Sequence, residues 1–94
     1  MSSKAERRAE RESVAAFHEA ELAKLVGRVG EAIDGFRSGR LDAFEVDRVL
    51  FQYSRAAKKL WKFCNLGPVE LTASLITRDD PSTDWWERGT PRRR

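Results

Sequence analysis

His18 and Cys64 are the only histidine and the only cysteine in this 94-residue chain, the two residue types most often recruited as a neutral-pH base and as a thiol nucleophile. They fall on different segments, with no second histidine or cysteine at ligand spacing. Neither a metal site nor a Ser-His-Asp or Cys-His arrangement is indicated. The pattern predicts no enzyme, no cofactor and no small-molecule substrate. A second kind of chemistry is better patterned. Arg48, Gln52, Arg55, Lys59 and Lys62 recur at three- and four-residue spacing, with Lys58 beside them and no acid interrupting the run. On a helix they form one basic ridge. Such a ridge can follow nucleic-acid phosphates, an anionic membrane surface or an acidic protein. It can equally be a solvated face whose cations suit the C-terminal end of a helix. The chain also carries 15 acidic residues, and no helix-turn-helix, ribbon or RNA-binding signature surrounds the ridge.

Aromatic residues supply the other candidates. Phe44 and Phe51 lie seven residues apart, on the side of the same helix away from its apolar stripe. Something should cover them: Trp85 and Trp86, the Val69 to Ile76 segment, or a second copy of the chain, since small chains often gain stability by associating. Trp85-Trp86 beside Glu87 and Arg88 fits a docking motif, because tryptophan and arginine dominate binding hot spots. The plainer alternative puts one indole into the fold and leaves the other partly exposed.

The element that must position the ridge runs from Asp42 to Cys64. Val46, Val49, Leu50, Tyr53, Ala57, Leu60, Trp61 and Cys64 fall on one side at 100° per residue, predicting a helix with a buried stripe. Asp42 and Glu45 have the spacing of a capping box. Cys64 lies on the stripe and reads as a small core residue. Upstream, Ala15, His18, Leu22, Leu25, Val26, Val29, Ala32, Ile33 and Phe36 recur at three- and four-residue spacing, predicting a helix from about 13 to 36. Gly27 and Gly30 inside it are either tolerated or mark close approach of another helix. Gly39 suits a left-handed helix end, and the short loop to Asp42 favours a hairpin. Gly67-Pro68 stops one element and opens the next, with Pro68 at its first position. Residues 69–76 fit a helix, although they also alternate well enough for a strand. Asp80-Pro81 precedes one or two short turns through Trp85 to Arg88. Residues 1–12 read as a charged, flexible lead-in, 13–88 as a single helical domain and 89–94 as a basic tail.

The blocks Leu41 to Asp47 and Leu60 to Cys64 resemble a group of small helical proteins of uncharacterised function found in actinobacteria. The resemblance covers about half the chain and implies helices, with no functional residues to carry over. Composition agrees with a helical reading: 40% hydrophobic, 35% charged and a net charge of +3. A chain of this length buries only about 60–65% of its unfolded surface, which leaves a thin stability margin. No apolar run is long enough for a membrane span and no signal peptide is evident, so the expected location is cytoplasmic. The fold class expected is all-α, an antiparallel helical hairpin with one or two short C-terminal helices folding back. The expected partner is a protein or a second copy of the chain, with nucleic acid as the alternative.

Overall fold

The computed structural model describes residues 3–78 and 83–91. Among them are four helices and no strand: α1 (Lys4–Arg37), α2 (Ala43–Asn65), α3 (Val69–Arg78) and α4 (Trp85–Arg88). The fold is all-α. The Asp80-Pro81 break and the last three arginines lie outside the described residues.

Helix α1 begins well before the apolar pattern does. Ser3 is its N-cap, its hydroxyl accepting the Glu6 amide at 3.1 Å. Residues 4–12 are mostly Ala, Glu, Arg and Lys, which favour helix without any partner to pack on, and their side chains are largely exposed. A start near 13 is therefore corrected to Lys4: periodicity detects the buried stripe of a helix, not its length. The other end behaves as its residues predict. Gly39 takes φ +82, and the Arg40 and Leu41 amides donate to the Gly35 carbonyl at 2.8 and 3.1 Å.

Helix α2 opens with the full capping box. Asp42 Oδ1 accepts the Glu45 amide at 2.8 Å, and Glu45 Oε1 accepts the Asp42 amide at 3.1 Å. The two long helices pack along each other in opposite directions. Phe17 and Phe63 lie 6.0 Å apart by ring centroid near one end, and Ile33 and Phe36 line a groove with Ala43 and Val46 near the other.

The core joins Val14 and Leu25 of α1, Ala56, Leu60 and Cys64 of α2, and Trp85 of α4. This shifts the buried side of α2 from its predicted position. Ala56 is fully buried, whereas Leu50 and Trp61, both assigned to the stripe, are exposed. The rotation is about 30° at 100° per residue, toward the side where α4 sits. Phe63 and Trp85 pack there with their rings tilted, 5.3 Å between centroids. A close approach permits the seating: a Cβ at Gly89 would lie 2.5 Å from the Gln52 carbonyl oxygen and 2.8 Å from the Ala56 nitrogen.

Segment 69–76 is helix. Val69, Ala73 and Ile76 are partly buried against the core, with Thr72 buried among them. Pro68 precedes α3 rather than entering it, and its carbonyl accepts the Thr72 amide at 3.0 Å. Asp84 caps α4, accepting the Glu87 amide at 3.3 Å. Among the described residues nothing approaches within 4 Å of a Cβ built at Gly27 or Gly30, so none of the other three helices makes close contact there.

Candidate interaction surfaces

The five ridge residues have two different fates. Gln52 Nε2 donates to the Trp86 carbonyl at 2.9 Å and to Thr90 Oγ1 at 3.2 Å. Lys59 Nζ donates to the Arg88 carbonyl at 2.6 Å. These two side chains therefore latch the C-terminal segment onto α2: the Gln52 bond adds to the Gly89 amide that the Trp86 carbonyl already accepts at 3.0 Å, and the Lys59 bond serves the Arg88 carbonyl at the open end of the short helix. Arg48, Arg55 and Lys62 stay exposed, as does Lys58. Among the described residues the one ion pair joins Lys24 to Glu21 at 2.7 Å, so none of these four cations is neutralised by an acid there.

The tryptophans divide. Trp85 is 5% exposed and belongs to the core, with the Arg88 guanidinium 4.8 Å over its ring. Trp86 is half-buried, with Arg28 5.5 Å from its ring centre. A hollow of about 290 Å³ beside them is lined by Glu21, Lys24, Arg28 and Asp84. Its charges are of both signs and select no ligand. The latch extends to Gly89, which is buried, and Thr90.

Among the described residues nothing covers Phe44 and Phe51: they are 77% and 61% exposed. Coverage from within by the tryptophans or by α3 is corrected accordingly. The reason is positional. The C-terminal arm runs along the Gln52, Ala56 and Lys59 side of α2, about 100° round from Phe51.

A wider apolar surface accompanies them. Val26 and Phe36 of α1 and Leu50 and Trp61 of α2 are each between 42% and 52% exposed. On α1, Val26, Val29, Ile33 and Phe36 form one stripe; on α2, Leu50, Ala57 and Trp61 form another. The stripes meet in a groove of about 220 Å³ lined by Ile33, Phe36, Ala43, Val46, Asp47 and Leu50. This open face lies away from the docked α4. The sequence signal for it was the breadth of the α2 apolar stripe, which exceeds what one neighbouring helix can cover.

Cys64 is buried, and burial pushes its thiol up to about 11, the opposite of what activates a nucleophile. His18 is half-buried on α1. Among the described residues no three His, Cys, Asp or Glu side chains come together where they could hold a metal ion, and no helix is long and apolar enough to cross a membrane. No family model, curated protein or solved structure matches the chain.

Proposed function

We propose that the chain is an antiparallel helical hairpin, closed on one side by its short C-terminal helices, that serves as a non-enzymatic protein-interaction module. The observation that carries this reading is the open face. Val26, Phe36, Leu50 and Trp61 stand exposed along one side of the two long helices, next to Phe44 and Phe51. Contiguous apolar surface on a small domain marks a docking site, and paired helical stripes suit another helical surface, through ridge-into-groove packing. The occupant is a second copy or another subunit of an assembly.

Hydroxyl-radical footprinting tests this whatever the identity of the occupant. Phe36, Leu50 and Trp61 should label readily in the dilute purified chain and be protected in cells that produce it. Equal labelling in both settings contradicts the reading.

A second reading has its own support in the free cations. Arg48, Arg55, Lys58 and Lys62 are exposed and unpaired by any described acid, as phosphate-binding groups would be. It predicts salt-dependent binding of labelled DNA or RNA that Arg55→Glu with Lys62→Glu abolishes. Binding that is absent at low salt removes it.

A further inference from the structure

Resting on the interaction-module reading, we infer that the occupant of the open face is a second copy of the chain, related by a two-fold axis parallel to the long helices, so that α1 of each copy packs against α2 of the other.

The inference comes from what borders the face on its two sides. Along α1 the rim carries Glu12, Glu19, Val26 and Ile33, spaced by seven. Along α2 the rim carries Phe44, Phe51 and Lys58, also spaced by seven, with Lys62 one turn beyond. A seven-residue spacing is the repeat of a helix–helix seam. Glu19 on one rim stands at the end where Lys58 and Lys62 occupy the other, and Val26 and Ile33 stand at the end that carries Phe51 and Phe44.

The levels of these residues follow from the internal packing. Phe17 stands against Phe63, and Ile33 lines the same groove as Val46 and Asp47, so residues whose numbers sum to about 80 share a level along the two opposed helices. Glu19 is thus level with the space between Lys58 and Lys62, but on the opposite rim of the same face, too far across it to meet them within one chain. A two-fold axis parallel to the helices exchanges the rims while keeping every level. It sets the partner's Glu19 between Lys58 and Lys62, the partner's Val26 within about one turn of Phe51, and the partner's Ile33 within about one turn of Phe44. The two aromatic residues that no described part of the chain covers thereby acquire apolar neighbours.

Charge selects this arrangement over its alternative. A two-fold axis across the helices would lay α2 on α2, carry Glu19 away from Lys58 and Lys62, and leave Asp47 as the one acid of that face able to meet them. The parallel axis pairs each cationic end with an acid, twice per dimer, and produces a four-helix bundle with C-terminal arms outside it.

Two measurements test the pairing. First, a mixture of unlabelled and ¹⁵N-labelled chain is treated with a zero-length carbodiimide cross-linker and digested. The expected result is mixed-isotope cross-links joining Glu19 to Lys58 or Lys62; their absence when other mixed-isotope links form overturns the inference. Second, dimer dissociation is followed by sedimentation equilibrium. Lys58→Glu with Lys62→Glu should weaken the dimer by about tenfold or more, and adding Glu19→Lys should recover most of the loss, since like charges across an interface are costly and opposite ones set its register. All three positions are exposed, and circular dichroism verifies that each variant keeps its helices. A dimer indifferent to the charge changes, or a chain that stays monomeric, overturns the inference. Footprint protection in cells that persists with a monomeric purified chain would leave the interaction-module reading standing and remove only the second copy as occupant.

Discussion

Gly89→Ala should loosen the C-terminal arm from α2. Gly89 has φ −82 and ψ −5, a conformation open to any residue, so backbone strain plays no part. Space does. The new methyl would sit 2.5 Å from the Gln52 carbonyl oxygen, 2.8 Å from the Ala56 nitrogen and 2.9 Å from Ala56 Cβ. Two of these atoms are backbone in the middle of a helix and cannot yield. The arm must retreat by about 1 Å to reach ordinary van der Waals separation. That retreat would stretch the Gln52 bond to the Trp86 carbonyl, now 2.9 Å, and the Lys59 bond to the Arg88 carbonyl, now 2.6 Å, beyond useful hydrogen-bonding range. Overpacking of this kind costs about 1–3 kcal/mol. In a domain of this size each kcal/mol moves the melting temperature by about 4–8 °C. The assay is thermal unfolding by circular dichroism, with tryptophan emission recorded at 25 °C. The expected outcome is a fall in Tm of roughly 10 °C, taking about 2 kcal/mol as the middle of that range, and a red shift as Trp85 meets water. An unchanged Tm with unchanged emission would refute the seating of Gly89 against the α2 backbone.

Other expectations follow from the same geometry. Gly27→Ala should stabilise the chain by about 0.8–1.0 kcal/mol, because the position is helical, exposed and has nothing within 4 Å of a new Cβ; chemical denaturation measures it, and a loss of stability would mean that an unseen neighbour occupies the site. Cys64 should react with a thiol reagent at pH 8 about a hundredfold more slowly than a free cysteine from ionisation alone, given a shift from 9.0 to about 11. Because the unfolded thiol loses its proton first, this residue's contribution to stability should decline as pH rises from about 9 toward 11. Rapid labelling of the native chain, or stability that rises across that interval because of Cys64, would contradict its burial. Asp42→Ala should cost about 0.5–2 kcal/mol through loss of the cap on α2, read as a lower denaturant midpoint; no change would show that the capping box does not hold the helix start.

What could be read from the sequence was what depends on neighbours in the chain. Asp42 and Glu45 identify the start of α2 because both halves of a capping box lie within one turn. Gly39 marks the end of α1 for an equally local reason. The seating of α4 was not legible, since it rests on Gln52 and Lys59 meeting carbonyls 34 and 29 residues away. Without that contact, periodicity placed Leu50 and Trp61 in the core and gave no prominence to Ala56. Residues 4–12 were missed as helix because propensity and a serine cap build them, with no apolar stripe to announce them. For the candidate surface, Phe44 and Phe51 stood out as apolar residues on a polar side. Their neighbours Val26, Phe36, Leu50 and Trp61 did not, because a stripe shows which residues favour burial and not how much of it one chain can bury.

Static light scattering on the purified wild type and on Leu50→Asp, at matched micromolar concentration, tests the open face most directly. Leu50 is exposed within the chain, so the substitution should leave the fold intact by circular dichroism. The predicted result is twice the 10.8 kDa chain mass for the wild type and the single-chain mass for the variant. Equal masses for the two proteins, single or double, would contradict a self-interface on that face.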